Sequence, residues 1–215
     1  MKKIFLSALI VLIFFVQNFC CAAATIYEGY YNGYADMPYP VVKTGNAAVD
    51  QKINAAILTE LNRFVADVYA TAQTNGYEVE SISTKYEVTC NEAGNTAILS
   101  FRIVERRYYK RAPRAWTYFR AMNFTTNTGE IIDIDFFKKF ALEKGIDEQM
   151  LKYAIGQKLR EHCQRKGIHL LESANPLKKL PENFYWDSNL HLHFIFQQYE
   201  VAPGTAGIID VDIDA

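Results

Sequence analysis

Two histidines flank a single leucine near the C-terminus, at His191 and His193. Alternate residues of a β-strand point to the same side of the sheet, so the two imidazoles are expected on one face. Such a pair can hold a metal ion when a third ligand comes from elsewhere, and the chain would then be a metal-assisted hydrolase. The other interpretation is a solvated strand face, because Leu192 and Phe194 take the opposite face for the core. We favour the solvated face and expect no metal or other cofactor.

Motifs that are typical of catalysis do not occur in the sequence. It contains no glycine-rich phosphate loop, no nucleophile elbow and no HExxH pair. Asp133 and Asp135, and further on Asp210, Asp212 and Asp214, alternate with apolar residues, and paired carboxylates can carry out acid–base chemistry. The same alternation is typical of a half-exposed strand with a polar outer face. We therefore expect a protein that is not an enzyme.

The segment ERRYYKRAPRAW concentrates positive charge among aromatic rings. Ala112-Pro113 at its centre predicts a hairpin tip. A basic, aromatic tip can bind a phosphate, a carboxylate or a sugar ring; the alternative is a solvated loop in which arginine stacks on tyrosine. The candidate binding residues here are Arg106, Arg107, Tyr109, Lys110, Arg111, Arg114 and Trp116.

A second candidate site is the stretch QQYEVAPGTAG, residues 197–207, where a strand runs into proline and glycine. If the alternation of the preceding strand continued, Glu200 would point into the core and Tyr199 away from it. The sequence therefore predicts either a β-bulge near Gln197 and Gln198 that resets the alternation or a Tyr199 side chain displayed to solvent, followed in both cases by a corner. The corner is the favoured interpretation and the lip of a binding site the alternative, with Tyr199, Glu200, Pro203 and Gly204 as the candidate residues.

Two long amphipathic helices and a series of hairpin strands predict an α+β fold, in which an antiparallel β-sheet is packed by the two helices. The first helix lies between Asn46 and Gly76, and the second follows Asp147 and ends at Gly167. A short helix is expected after Asp135. The predicted strands are 77–91, 96–108, 115–125, 131–134, 190–201 and 208–213, with a possible short strand at 168–171.

The N-terminus has the organisation of a secretory signal peptide. Lys2 and Lys3 precede an apolar run, and small residues at 22–24 predict cleavage after Ala24. The run is shorter than the ~20 residues of a spanning helix, so no stable membrane anchor is expected, although an uncleaved anchor is the alternative. The mature chain, 25–215, is expected to be one compact domain in the periplasm or medium, or two intertwined halves at about 25–110 and 111–215.

Charge and cysteine content fit this exported chain. Without Lys2 and Lys3, 21 of the 23 basic residues remain against 24 acidic residues, and so mild a balance does not indicate a nucleic-acid partner. Cleavage also leaves only Cys90 and Cys163 of the four cysteines. An even pair in an oxidising compartment is a possible disulfide, and two separate buried thiols are the alternative.

Several segments resemble a family of domains of unknown function. They are YPVVKTGNAAVDQKINAAI (39–57), SFRIVERRYYKRAPRAW (100–116), RAMNFTTNTGEIIDIDFF (120–137) and QYEVAPGTAG (198–207). The family includes the extracellular part of the RsiV anti-sigma factor and the non-catalytic N-terminal region of PdaC-type peptidoglycan deacetylases. The resemblance spans about Tyr39 to Ile213. This chain departs from both relatives, because it shows no sigma-binding region before the apolar run and no deacetylase domain after Ile213.

The resemblance implies an α+β fold at the cell envelope and a binding role. RsiV-like domains bind lysozyme, and PdaC-like proteins act on peptidoglycan through a separate domain. We therefore expect an exported, non-catalytic binding module that recognises a protein such as lysozyme, or a peptidoglycan or other wall polymer. The alternatives are the metal-assisted envelope hydrolase and a structural subunit of an envelope assembly.

Overall fold

The computed structural model describes residues 23–91 and 96–214. Most of the predicted signal peptide, residues 1–22, and most of the predicted loop 91–95 lie outside these ranges. In the two described ranges, no helix is long and apolar enough to cross a membrane.

The described residues form three α-helices and eight strands in three antiparallel sheets, which is the predicted α+β class. The sheets have the strand orders β1-β2, β3-β4-β5 and β6-β7-β8. The helices are α1 (Ala47–Asn75), α2 (Ile134–Glu143) and α3 (Glu148–Lys166), and the strands are β1 (Thr25–Tyr30), β2 (Pro38–Lys43), β3 (Val79–Asn91), β4 (Ile98–Tyr109), β5 (Trp116–Thr125), β6 (Asn183–Trp186), β7 (Leu192–Phe196) and β8 (Ile209–Asp212).

Helix α1 begins and ends where the sequence predicts. The Asn46 side chain accepts from the first free backbone N–H groups, and Gly76 closes the helix at φ 66°. One stripe at three- and four-residue spacing is buried: Val49, Ile53, Ile57, Leu61, Phe64, Val68 and Ala72. This stripe forms a first hydrophobic core with residues of β4 and β5, so α1 covers one face of the central sheet.

The other face of the central sheet lies on the third sheet. On β4, Leu99 and Phe101 belong to the first core, whereas the intervening Ser100 accepts a hydrogen bond from the backbone N–H of Trp186 in β6. Ile98 belongs to a second core, which also contains the inner faces of α2, α3 and β6–β8. Strand β4 is therefore covered on both faces, which explains the nearly continuous burial of its first half.

Aromatic rings fill the second core. Phe137 of α2 lies 5.4 Å from Phe184 of β6 and 6.0 Å from Phe194 of β7, measured between ring centroids. The α3 stripe of Leu151, Ile155 and Leu159 closes the other side. Burial of each large side chain is worth roughly 1.5–3 kcal/mol, so this packing fixes the third sheet against α2 and α3.

Carboxamide side chains join parts of the chain that are not paired in a β-ladder. Gln197 accepts from Phe119 N–H at 3.0 Å and donates to Phe119 C=O at 2.7 Å, as a partner strand would. Asn54 of α1 makes the same two hydrogen bonds, with the backbone N–H and C=O of Val42 in β2. Asn91 of β3 makes them with the backbone N–H and C=O of Ala24, the residue just before β1. Beside Gln197, Asn183 Oδ1 accepts from Ala121 N–H at 3.0 Å, so the outer edge of β5 is held by side chains rather than by a fourth strand.

Several predicted boundaries are wrong. Residues 131–134 do not form a strand, because Asp133 caps α2 by accepting from Phe136 N–H, and Ile131 makes only an isolated bridge. The segment 168–171 is not a strand. The segment 183–186, for which no strand was predicted, is β6. Strand β7 ends at Phe196, so no bulge is needed near Gln197.

The two hydrogen bonds between the Gln197 amide and the Phe119 backbone make a prediction about stability. Replacing Gln197 by Ala leaves the Phe119 N–H and C=O without their partner, so we expect a loss of about 1–3 kcal/mol of unfolding free energy. Urea unfolding of both proteins measures it. Gln157→Ala is the matched control, since the Gln157 amide donates to the exposed Glu161 carboxylate, and its effect is expected within about 0.5 kcal/mol. Equal effects of the two substitutions would contradict a stabilising role of the Gln197 hydrogen bonds.

Candidate functional site

A cavity of about 300 Å³ lies between helix α1 and strands β4 and β5. The antiparallel register sets its β4 and β5 walls: Glu105 pairs with Tyr118, and Arg107 pairs with Trp116. These four side chains share the sheet face that α1 covers. We call this cavity the Glu105 cleft; it is lined by Arg63, Phe64, Asp67, Glu105, Arg107, Trp116, Thr117, Tyr118, Arg120 and Glu182.

Glu105 is the most perturbed group of the cleft. The residue is 4% exposed, and its Oε1 atom has no hydrogen-bond partner. Burial raises the pKa of Glu105 to about 7, although the nearby Arg120 guanidinium opposes the shift. A buried carboxylate without full compensation is destabilising, and such groups concentrate at functional sites.

Arginine and aromatic side chains surround this carboxylate. The Arg107 guanidinium pairs with Asp67 at 2.5 Å and lies 5.6 Å from the Trp116 ring centroid. The Arg120 guanidinium lies 4.9 Å from the Tyr118 ring. Trp116 itself is 57% exposed, so the cleft has an aromatic face open to solvent.

Glu60 of α1 holds two of the cleft arginines. Arg120 Nε lies 2.6 Å from Glu60 Oε1 but is not in line for a hydrogen bond, and Arg63 pairs with the same carboxylate. These two cations keep the pKa of Glu60 below its usual value in spite of its burial. The two carboxylates therefore differ: Glu60 pairs with two arginines, whereas Glu105 keeps one oxygen without a hydrogen-bond partner.

A second cavity of about 290 Å³ adjoins the Glu105 cleft, because Tyr118 and Glu182 line both. We call it the Tyr199 pocket. Its remaining walls are Lys179, Asn183, Gln197, Gln198, Tyr199 and Glu200.

The structure brings together the two candidate segments of the sequence. Arg114 of the basic tip donates a hydrogen bond to the Tyr199 hydroxyl, and its guanidinium lies 5.6 Å from the Tyr199 ring centroid. Tyr199 is exposed rather than buried under α1. Glu200 is largely buried, which raises its pKa, and it accepts from Gln197 N–H at 2.7 Å.

The other candidate residues are dispersed. Tyr109 is buried under α1 and donates to the Val68 carbonyl. Lys110 pairs with the Glu78 carboxylate at 3.0 Å. Arg111 occupies the turn at φ 67°, and Arg106 is exposed on the opposite face from Glu105. Pro203 and Gly204 begin the short 3₁₀ turn Gly204–Ala206, which agrees with the predicted corner.

His191 and His193 pair with carboxylates of the neighbouring strand. His191 Nδ1 lies 3.2 Å from Asp212 Oδ2, and His193 Nδ1 lies 2.9 Å from Asp210 Oδ1. Asp210 also accepts from the Tyr185 hydroxyl at 2.7 Å and from Arg102 at 3.1 Å. The prediction of a solvated face is wrong for His193, whose side chain is 17% exposed. Across the described residues, no group of three or more His, Cys, Asp or Glu side chains is placed to hold a metal ion.

Both cysteines of the mature chain belong to the second core. Cys90 and Cys163 are both buried thiols there, and burial raises the pKa of Cys163. A bond between them stays a prediction.

Three residues that are central to the cleft were not predicted as site residues from the sequence: Glu105, Arg120 and Arg63. A signal for Glu105 exists, because the alternation that buries Leu99, Phe101 and Ile103 also assigns residue 105 to the buried face. Arg63 and Arg120 carry no comparable signal, since their proximity depends on how α1 crosses the sheet.

Comparison with known proteins finds one matching family model and solved structures of similar fold. A family model described as "Protein of unknown function (DUF3298)" matches residues 134–215, which include α2, α3, β6–β8 and most of the Tyr199 pocket. No curated protein matches the chain.

Two solved structures have the same fold along nearly the whole chain. One is a member of the DUF3298 family from Bacteroides fragilis NCTC 9343, with 14% identity, a TM-score of 0.50 and coverage of 89% of this chain and 88% of that chain. The other is a DUF3298 family protein from Pseudomonas aeruginosa PAO1, with 8% identity, a TM-score of 0.52 and coverage of 90% of each chain. At these identities the likeness is one of fold alone.

The Glu105 environment predicts a pH-dependent stability. Its folded-state pKa of about 7 lies above the ordinary 4.5, so the stability linked to the neutral form is present below pH 4.5 and is lost as pH rises through 7. We expect Glu105→Gln to remove a decline of about 2 to 3 kcal/mol between pH 5 and pH 8, measured by urea unfolding. Glu143→Gln, at an exposed position, is the control. A decline that persists unchanged in Glu105→Gln would refute this assignment.

The His193–Asp210 pair predicts a second pH dependence of stability, in the same direction as that of Glu105. Burial opposes the imidazolium, but Asp210 and neighbouring carboxylates hold the pKa of His193 above its usual 6.5. The pair therefore stabilises the fold below pH 6.5 and loses this contribution as pH rises through the raised pKa. Burial opposes the Asp210 carboxylate, but His193 and Tyr185 keep the pKa of Asp210 below its usual 3.8, so its contribution is lost only as pH falls below that value.

We expect His193→Gln to destabilise the protein more at pH 5.5 than at pH 8.5, as measured by urea unfolding at both pH values. His169→Gln, at an exposed position, is the control and is expected to have a small, pH-independent effect. Equal destabilisation by His193→Gln at the two pH values would show that the charge of the imidazole is unimportant.

Proposed function

We propose that this chain is an exported, non-catalytic binding module of the cell envelope, and that the Glu105 cleft binds a saccharide segment of a wall polymer. The observation that carries the proposal is the combination of Glu105, a buried carboxylate without full compensation, with arginines and an exposed aromatic ring in one cavity. A cavity with a few convergent polar groups and a perturbed pKa is the usual form of a ligand site.

The chemistry of the cleft suits a sugar. A sugar ring carries hydroxyl groups that both donate and accept, and its C–H faces pack on aromatic rings. Glu105 supplies an acceptor that has no partner, the guanidinium groups of Arg107 and Arg120 supply donors, and Trp116 supplies an open apolar face. The volume of about 300 Å³ lies at the lower end of the range for small-ligand sites, in keeping with one ring.

The charge balance favours a neutral saccharide over a strongly anionic polymer. Each cleft arginine has a carboxylate close by: Arg63 and Arg120 share Glu60, and Arg107 has Asp67. At the basic tip, Lys110 is paired with Glu78. The basic character of this segment in the sequence is therefore largely neutralised in the fold, and long-range attraction of an anionic chain is correspondingly weak.

A protein ligand such as lysozyme is the second candidate, and one observation favours it. Tyr27, Tyr30 and Tyr34 are all about half exposed or more, within and just after β1. Exposed tyrosines are enriched at protein–protein interfaces. The resemblance to RsiV-like and PdaC-like domains is compatible with either ligand, since the former bind lysozyme and the latter belong to peptidoglycan enzymes.

Retention on purified peptidoglycan sacculi tests the proposal. We expect the mature chain to be retained, and Trp116→Ala to weaken retention about tenfold, which corresponds to the loss of about 1.4 kcal/mol of stacking. Tyr153→Ala removes an equally exposed aromatic ring of α3 that lies outside the cleft, and it is expected to bind like the unaltered chain.

A parallel matrix of immobilised lysozyme separates the two ligands. Retention on lysozyme alone, lost in Tyr30→Ala and kept in Trp116→Ala, would replace the saccharide by a protein partner. Failure on both matrices would reject the binding function in this form.

A further inference from the structure

The Tyr199 pocket continues the Glu105 cleft rather than forming a separate hollow. The two cavities have similar volumes, about 300 and about 290 Å³, and they share the walls Tyr118 and Glu182. Each has an exposed aromatic residue of its own, Trp116 in one and Tyr199 in the other. Two adjoining cavities of this size, each with one such ring, form a repeated arrangement along the surface.

Tyr199 is held in an unusual conformation although its ring is 56% exposed. Its backbone has φ 68°, in the left-handed region that tyrosine rarely occupies. The ring lies directly against Gly204, where any Cβ atom would overlap it. Arg114 contacts both the ring and the hydroxyl. Backbone strain that the surrounding structure maintains at a cavity is a reason to look for function.

Three independent features thus fix one solvent-exposed ring: the left-handed backbone, the missing side chain at Gly204 and the Arg114 contact. An ordinary surface tyrosine needs none of them. A ring held in this way loses little conformational entropy when a ligand stacks on it, so it contributes more to affinity than a mobile ring does.

The polar groups of the Tyr199 pocket are also suited to an uncharged polar ligand. Lys179 and Glu182 are exposed, with 72% and 63% of their side chains accessible and a separation of 3.9 Å, so they supply a donor and an acceptor of opposite charge. Gln198 is oriented by its hydrogen bond to the Gly204 carbonyl at 2.6 Å. The pocket therefore offers the same kinds of contact as the Glu105 cleft.

We infer that the Glu105 cleft and the Tyr199 pocket are consecutive subsites for a linear oligosaccharide, with Trp116 stacking on one ring and Tyr199 on the next. This inference rests on the proposed function and adds to it that the ligand is a chain of at least two sugar units. It also assigns a binding role to Tyr199, which lies outside the cleft.

The dependence of affinity on chain length tests the inference. The probes are β-1,4-linked N-acetylglucosamine oligomers of one to four units, followed by isothermal titration calorimetry. We expect two or more units to bind at least tenfold more tightly than one. Tyr199→Ala is expected to abolish this gain while leaving the affinity for the single sugar unchanged, and Trp116→Ala to weaken every oligomer.

Tyr199→Phe is the matched variant, because it keeps the ring and removes only the hydroxyl that Arg114 contacts; it is expected to keep at least half of the gain in binding free energy. Circular dichroism and urea unfolding confirm that each variant is folded. Should Tyr199→Ala unfold, Arg114→Ala releases the ring without touching the turn and is expected to reduce the gain.

The outcomes separate the two proposals. Equal affinity for one and three units, or a gain that survives in Tyr199→Ala, overturns the second subsite. Retention on sacculi without measurable binding of any oligomer also overturns it and leaves the proposed function in place. Absence of both oligomer binding and retention on sacculi overturns the two together.

Discussion

Carboxamide groups that imitate a β-strand partner are the interactions on which the arrangement of the three sheets depends. The three sheets are separate ladders, so strand edges remain inside the molecule with unpaired N–H and C=O groups. Gln197, Asn54 and Asn91 each satisfy both groups of one residue on such an edge. An amide has one donor side and one acceptor side, which is what a single strand residue presents. The geometry of the candidate site follows, because the Gln197 bond to Phe119 brings the residues after β7 against Tyr118.

The central carboxylates of the two clusters of ionisable groups differ in how completely they are hydrogen-bonded. Asp210 receives contacts from His193, Tyr185 and Arg102, so its carboxylate is compensated, and the cluster joins the third sheet to β4. Glu105 is more deeply buried than Asp210 but keeps an oxygen without a partner beside a cavity. Unsatisfied buried groups are few in folded proteins, and groups with strongly perturbed pKa values concentrate at functional sites. The Glu105 cleft is therefore the better site, although the histidines were the more conspicuous residues in the sequence.

Local signals predicted the fold class and most elements, whereas the site depended on long-range packing. The ends of α1 and α3 follow from Asn46, Gly76, Asp147 and Gly167, whose effects act within a turn of helix. Strand β6 was missed because all four of its residues are buried and no alternation remains to be recognised. Asp133 was assigned to a strand because an alternating acidic pattern and a helix cap look alike over so few residues.

Arg114 and Tyr199 could each be predicted from the sequence as candidate binding residues, but their contact with each other could not. Each residue stood out by itself, one in a basic hairpin tip and one at a strand end interrupted by proline and glycine. Their contact requires that the third sheet lie along the outer edge of β5, which the Gln197 amide brings about. The left-handed backbone of Tyr199 lies in the turn that follows β7, so the corner and the lip of the pocket are the same feature. A turn that only reversed the chain would be formed more easily by glycine or asparagine at position 199. The presence of tyrosine there, supported by Gly204, is best explained by the ring that it presents to the pocket.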